Sequence, residues 1–173
     1  EADHPAQAAA TSYHAELPSG ILPAQSAFRL FEEFGIPVAP TALALSPKSN
    51  GLVAQKMASE GVEMILGVKR DAHFGSVVLC GFGGILVELL KDVAVGIPPL
   101  TRAQAHDMIK RLRGFSILGG VRGKPPTDVD ALCDAIVGVS RLAVSLGDQL
   151  AGLDINPLIV LPKGDGVIAV DAL

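Results

Sequence analysis

The chain has 173 residues, of which 49% are hydrophobic and 18% charged, with a mean hydropathy of +0.44 and a net charge of −4. Its basic residues are scattered, unlike those of a nucleic-acid-binding protein, and charged or turn-forming residues break every apolar run before the roughly 20 residues that span a bilayer. We therefore expect no nucleic-acid partner and no membrane span, and an apolar surplus buried against another domain or subunit.

Two cysteines, Cys80 and Cys133, lie within apolar patterns, far from each other and from any pair of histidines. This placement is typical of small core residues in a reducing compartment. The sequence begins without Met and has no signal-like segment at its start. We therefore expect part of a longer cytoplasmic protein.

The first 50 residues predict a tail, a helix and an extended segment. Residues 1–20 are rich in Ala, Pro, Ser and His without periodicity, which indicates a linker or tail. From Pro23 the apolar residues follow helical spacing as far as Gly35, and residues 36–38 then leave the helix as an extended segment. The turn-rich residues 46–51 form a break of the kind that joins subdomains.

Three strands are predicted next, over residues 52–56, 61–68 and 76–80. The last two flank the turn-forming sequence RDAHFG. We therefore expect them to pair as a hairpin.

Two glycine-rich segments each allow two interpretations. Gly81, Gly83 and Gly84 let the backbone approach another group closely, which fits a phosphate-binding loop or, more commonly for so short a motif, a turn between strands. The later loop GGVRGKPP contains Arg122 and Lys124, which could hold an anion. A solvated basic loop is the more common arrangement.

Two helices are predicted before the end of the chain. The first covers residues 101–112 and opens with a capping box between Thr101 and Gln104. The second is capped by Thr127, has two aspartates in its positive first turn, and ends near Gly147. With the two strands described next, the elements predict an α+β fold in which helices cover one face of a mainly antiparallel sheet. The other face is left to bind a ligand.

The last segment, LDINPLIVLPKGDGVIAVDAL over residues 153–173, predicts a terminal β-hairpin with PKGD as its turn. Asp154 and Asn156 share one face of the first strand, because side chains alternate along a strand. A four-residue loop would place Asn156 opposite Asp171 on the same face. A five-residue loop would place them on opposite faces.

Acidic and amide side chains recur on the predicted strands. In the four-residue register, the amide oxygen of Asn156 and the carboxylate of Asp171 form a pair that a hard cation such as Mg²⁺ accepts, although such residues also serve as caps near strand ends. Glu63 and Glu88 each interrupt an aliphatic run, and an acid there is costly to bury unless it binds a cation or a sugar hydroxyl. Several such residues in one sheet predict a nucleotide with its metal.

Several long segments of the sequence carry a family resemblance. VAQKMASEGVEMILGVKRDAHFGSVVLCGFGGILVELLKDV is followed by PPLTRAQA, GVRGKPPTDVDAL, LDINPLIVLP and AVDA. From about residue 22 onward the chain closely resembles the ATP-grasp domain of the ADP-forming (NDP-forming) acyl-CoA synthetases, which are similar to acetate-CoA ligase and to the succinyl-CoA synthetase β subunit. The resemblance implies a tail (1–20), a helix and extended segment leading into the domain (21–50), and a nucleotide- and metal-binding ATP-grasp subdomain (51–173).

The resemblance also implies an activity and its site. Members of the family are acid-thiol ligases, which make an acyl-CoA, ADP and phosphate from a carboxylic acid, CoA and ATP. The reaction passes through acyl phosphate and phosphohistidine intermediates. Family positions for the hinge that reads adenine correspond to Gln55, Lys56 and Met57, the ribose-binding acid to Glu63, and the Mg²⁺ ligands to Asn156 and Asp171. The CoA-binding part and the phosphohistidine are expected in other domains or on a partner subunit, so no catalytic residue is assigned in this chain.

One departure from the family pattern leaves two functions open. Relatives have a lid subdomain between FGIPV and the VAQKM strand, whereas this sequence has only TALALSPKSNG, whose Lys48 matches no lid motif. Either the protein has a lid that the printed sequence omits, with the numbering closed over it, or the protein truly lacks a lid. The first is favoured because an open nucleotide site would admit water. The alternative function is a non-catalytic nucleotide-sensing or interaction module, fused to another enzyme such as an acyltransferase.

Overall fold

A five-stranded antiparallel sheet organises the part of the chain that the computed structural model describes, residues 20–44, 52–58, 60–84, 92–121 and 123–173. The helices are α1 (Ala24–Glu33), α2 (Arg102–Lys110), α3 (Phe115–Leu118) and α4 (Val129–Leu146). The strands are β1 (Thr41–Ala44), β2 (Leu52–Gln55), β3 (Val62–Asp71), β4 (Gly75–Phe82), β5 (Val93–Gly96), β6 (Gly152–Val160) and β7 (Val167–Ala169). Their order in the large sheet is β5-β4-β3-β6-β7, so the pairing of β3 with β6 joins the two halves of the chain.

The predicted β3–β4 hairpin is confirmed. Its turn is closed by Asp71, whose Oδ1 accepts the N–H groups of His73 at 2.8 Å and Phe74 at 3.0 Å. Gly75 has a φ of +71°, a conformation that glycine adopts without steric cost. The two strands pair from Asp71 opposite Gly75 to Met64 opposite Phe82.

The core lies between one face of this sheet and the helices α2 and α4. Its central residues are Met64, Leu66 and Val68 of β3, Val78, Cys80 and Phe82 of β4, and Leu132, Ile136 and Val139 of α4. Because alternate strand residues point to opposite faces, the residues between them lie on the side away from α4. Burying each large apolar side chain contributes about 1.5 to 3 kcal/mol, so this packing fixes which face stays open.

The two cysteines are buried and unbridged, as predicted. Burial raises the pKa of Cys80 to about 12 and that of Cys133 to about 11, so both remain protonated thiols at neutral pH.

Residues 37–39 attach the N-terminal part of the chain to β7. The N–H of Ala39 donates to the carbonyl of Ala169, and the N–H of Ala169 donates to the carbonyl of Pro37, each at 2.8 Å. The strands β1 and β2 then form a separate two-stranded sheet. The predicted break at residues 46–51 lies outside the described residues, and the strands on either side of it pair directly, with Ala44 opposite Leu52.

The sequence predictions for the helices and strands differ from the structure in one helix cap and two short strands. The capping box of Thr101 and Gln104 is confirmed, but the cap of α4 is Asp128 and not Thr127. The Thr127 hydroxyl instead donates to the carbonyl of Leu118 at 3.0 Å, and the backbone of Thr127 forms an antiparallel bridge with Pro162. The strands β1 and β5 were not predicted, since runs of four residues give little periodic signal.

Among the described residues, no helix is long and apolar enough to cross a membrane.

Candidate functional site

The open face of the sheet displays the polar residues that the sequence singled out. In β6 the buried residue Ile155 lies between the exposed residues Asp154 and Asn156. Glu63 is exposed beside the fully buried Met64, and Asp171 is exposed beside the buried Ala172. Alternation therefore places Glu63, Asp154, Asn156 and Asp171 on the same face, opposite the core.

The terminal hairpin has a loop of four residues, which is the first of the two registers considered above. The N–H of Leu161 donates to the carbonyl of Gly166 at 3.0 Å, which leaves residues 162–165 as the loop. The same register continues beyond β7, where the N–H of Asn156 donates to the carbonyl of Asp171 at 3.2 Å. Asn156 and Asp171 are therefore direct cross-strand neighbours, whose side chains point to the same face.

A bulge on the other edge of β6 makes this arrangement compatible with the core. Between the partners of Ile155 and Leu158, β3 has one residue, Ile65, whereas β6 has two, Asn156 and Pro157. The extra residue allows Ile155 and Leu158, three positions apart, both to be fully buried at 0% exposure. It also gives a proline a place in a central strand, where proline would otherwise remove a ladder hydrogen bond.

The side chain of Asp128 fixes the hairpin loop. Its Oδ2 accepts the N–H groups of Gly164 at 2.9 Å and Gly166 at 3.1 Å, while Oδ1 caps α4 through the N–H of Ala131 at 3.1 Å. Desolvation raises the pKa of Asp128, but these backbone donors together bring it below its ordinary value. The sequence predicted only that this carboxylate would suit the positive N-terminus of the helix. The sequence offered one sign of a specially shaped turn, the glycines Gly164 and Gly166, whose φ values are +96° and +85°.

The residues predicted to form the hinge lie beside the C-terminal strand. The side chain of Gln55 donates from Nε2 to the carbonyl of Val170 at 2.8 Å, one residue before Asp171. Lys56 and Met57 follow on the surface, and Met57 is 88% exposed. The structure therefore brings the end of β2 to the strand that precedes Asp171, a contact that the sequence did not reveal.

The glycines after β4 pack against Glu63. The N–H of Gly83 donates to the Glu63 carbonyl at 2.8 Å, and a Cβ atom on Gly84 would lie 2.6 Å from the Glu63 Oε2 atom. The close approach that these glycines permit is thus to Glu63, which agrees with the turn interpretation. Glu88 and Arg122 lie outside the described residues.

The donor set on this face suits a magnesium ion that is held jointly with a phosphate. Among the described residues, no three acidic, histidine or cysteine side chains converge in a way that could hold a metal. The pair of Asn156 and Asp171 instead offers one amide oxygen and one carboxylate, and the N–H of Ala172 orients that carboxylate at 2.8 Å from Oδ1. Mg²⁺ is commonly bound through one or two protein oxygens, with water and phosphate completing its octahedron.

The ATP-grasp domain family matches residues 48–173. The chain belongs to the ATP-grasp family. The resemblance inferred from its motifs and the predicted α+β fold are both confirmed, because solved ATP-grasp neighbours share this antiparallel sheet with helices.

Proteins similar to this chain include ADP-forming acetate-CoA ligases. The chain is 41% identical over 122 residues to acetate-CoA ligase [ADP-forming] II subunit beta of Pyrococcus furiosus, covering 70% of this chain and 52% of that protein. It is 42% identical over 118 residues to acetate-CoA ligase [ADP-forming] I of Archaeoglobus fulgidus, covering 68% and 17%. The chain thus spans about half of the first relative and a smaller share of the second.

A solved structure extends the comparison to the ATP-grasp fold. The dinucleotide-forming acetyl-coenzyme A synthetase 1 of Ca. Korarchaeum cryptofilum, in complex with coenzyme A and Mg-AMPPCP, superposes with a TM-score of 0.77 at 30% identity. The match covers 87% of this ATP-grasp chain and 90% of that one.

Proposed function

We propose that this chain is the nucleotide-binding part of an ADP-forming acyl-CoA synthetase. The complete enzyme would make an acyl-CoA, ADP and phosphate from a carboxylic acid, CoA and ATP. The observation that carries the proposal is the cross-strand pair of Asn156 and Asp171, which lies on the open sheet face together with Glu63. The ligase relatives and the Mg-AMPPCP complex of a similar protein support the same assignment.

Each group on the open face has a role in this proposal. Asn156 and Asp171 would hold Mg²⁺, and the ion would neutralise charge on the nucleotide phosphates. The exposed carboxylate of Glu63 would accept hydrogen bonds from ribose hydroxyls. The backbone of Gln55, Lys56 and Met57 would contact the adenine. Catalysis by this part of the enzyme would consist mainly of positioning and charge neutralisation.

Other domains or a partner subunit would supply the phosphohistidine and the CoA site. His73 lies in the β3–β4 turn and His106 on α2, which packs on the core side of the sheet, so neither is on the open face. The solved relative has a phosphohistidine segment that points towards its nucleotide-binding site. A partner would also cover the exposed apolar residues at the β5 edge, Val93, Val95 and Ile97.

The same proposal includes a lid and a compartment. The connection between β1 and β2 is where the lid subdomain implied by the resemblance would be inserted, since these two strands lead directly to the hinge. We also expect a reducing, cytoplasmic setting, which agrees with two buried and unbridged cysteines.

Calorimetric titration with the non-hydrolysable analogue AMPPCP tests the proposal. The chain should bind AMPPCP in a Mg²⁺-dependent manner, and Asp171→Asn should weaken that binding at least about tenfold, because a charged ligand of the ion is lost. Asp165→Asn makes the same charge change in the loop of the same hairpin and should leave the affinity unaltered. The proposal is wrong if AMPPCP binding is absent or independent of Mg²⁺.

A further inference from the structure

Gln55 makes a contact that its position at the end of β2 does not require. Its side-chain amide reaches 115 positions along the sequence to the carbonyl of Val170, at 2.8 Å, and the residue is half-buried there. Its backbone is already placed by pairing with Thr41 across the β1–β2 sheet. The side chain is therefore available to join two different parts of the fold.

The Val170 carbonyl needs this donor because its cross-strand neighbour is a proline. The N–H of Val170 donates to the carbonyl of Pro157 at 3.1 Å. Proline has no N–H with which to return the bond, so the ladder leaves the Val170 carbonyl without its usual partner. A carbonyl left unpaired in a partly buried position is destabilising, and Gln55 satisfies it.

The bond connects the two ends of the proposed nucleotide site. On one side, Gln55 is followed directly by Lys56 and Met57, the residues proposed to contact the base. On the other, Val170 precedes Asp171, one of the two proposed metal ligands. The β1–β2 sheet is separate from the five-stranded sheet, so this hydrogen bond ties the base-binding segment to the metal-binding strand.

We infer that Gln55 is a positioning residue that sets the distance between the base-binding segment and the metal pair. This inference rests on the proposed function. The position of Asp171 does not depend on Gln55, since the hydrogen bond from Asn156 and the loop contacts of Asp128 hold that strand. Loss of the Gln55 amide should therefore displace the base end of the site and leave the metal end in place.

Two probes separate the ends of the site: Mg·AMPPCP, which has a base, and Mg·tripolyphosphate, which has none. In the 173-residue chain, Gln55→Met keeps the length of the side chain and removes the donor. It should weaken binding of Mg·AMPPCP roughly fivefold, the effect of one lost hydrogen bond, and change binding of Mg·tripolyphosphate less than about twofold. Gln55→Ala should give the same split, and thermal unfolding confirms that each variant is folded.

Thr41→Val is the matched control, because Thr41 is the β1 partner of Gln55 and its hydroxyl donates to the nearby Ala39 carbonyl, at 2.8 Å, and not to Val170. It should leave both affinities unchanged. Equal losses for the two probes in Gln55→Met would show a general structural role and overturn the inference, as would no loss for either. If the unaltered chain binds neither probe, the proposed function itself fails.

Discussion

The two hairpins that contribute to the candidate site are held in different ways. The β6–β7 hairpin pairs along β6 with the central strand β3, and its loop is fixed by three backbone contacts to Asp128, including the N–H of Asp128 on the carbonyl of Leu161 at 2.8 Å. The β1–β2 pair is a sheet of two short strands. Its described links to the rest of the chain include the Gln55 bond to Val170 and the run through residues 37–39.

Under the proposed function, this difference would separate the two ends of the site. A two-stranded sheet is marginally stable at best by itself, so the proposed base-binding segment would depend on tertiary contacts such as the Gln55 bond to Val170. The proposed metal pair would instead share the stability of the core, because its strand is buried on one face and its loop is docked. The metal geometry would then be set by the five-stranded sheet, and the position of the base-binding segment by local contacts.

The strongest test of the metal pair is phosphoryl transfer in the complete enzyme. Asp171→Asn is nearly isosteric and should leave the fold intact, yet it should slow phosphorylation of the acceptor histidine by about 100-fold or more, because charge on the transferring phosphoryl group is less well neutralised. The measurement is transfer of labelled phosphate from saturating Mg·ATP, with Asp165→Asn as the control. Full activity in both Asp171→Asn and Asn156→Ala would eliminate the metal site.

A substitution at the N-cap of α4 tests how the hairpin loop is docked. Asp128→Ala removes three charge-assisted hydrogen bonds and should lower the free energy of unfolding by about 1.5 to 3 kcal/mol in urea denaturation. Asp130→Ala, in the same helical turn, loses an exposed ion pair with Arg102 and a favourable charge near the helix N-terminus. It should cost less than about 1 kcal/mol. Equal losses in the two variants would mean that the loop contacts add no stability.

The pH dependence of stability should report the same carboxylate. Because the folded-state pKa of Asp128 is lowered, its contribution is complete above its ordinary pKa of 3.8 and is lost as the pH falls through the folded value. The difference in unfolding free energy between the unaltered chain and Asp128→Asn should therefore be constant near pH 6 and shrink below about pH 4. A difference that widens with acidification would contradict the lowered pKa.

A substitution in the β1–β2 sheet should change the free energy of global unfolding very little. Thr41→Val removes one local hydrogen bond there and should change the unfolding free energy by less than about 0.5 kcal/mol, because Thr41 is exposed. Urea denaturation of the same preparation used for Asp128→Ala gives the comparison. A loss as large as that of Asp128→Ala would show that both hairpins belong to one cooperative unit.

Local patterns predicted most of the fold but could not choose the register of the terminal hairpin. Alternation predicted that Asp154 and Asn156 share a face, and the motif PKGD predicted the turn. The four-residue loop is held by Asp128, which is 36 positions from Gly164 in the sequence. No local pattern reports such a contact.

Capping and long-range side-chain bonds were the other gaps. Thr127 and Asp128 are adjacent and both are good caps, so propensity alone could not decide between them. The role of the Gln55 side chain depended on a carbonyl beside Pro157, which becomes apparent only when the strands are paired. Local sequence patterns predict most of the helices and strands, whereas these site contacts depend on how distant segments of the chain pair.

The missing N–H of Pro157 has an evolutionary consequence. Any other residue at position 157 would offer a backbone donor of its own, which would compete with Gln55 for the carbonyl of Val170. Positions 55 and 157 should therefore covary among homologous sequences: where the proline is lost, selection for an amide donor at position 55 should relax with it. Two residues 102 positions apart would then be inherited together, although only Gln55 bonds the Val170 carbonyl and Pro157 acts by lacking a donor.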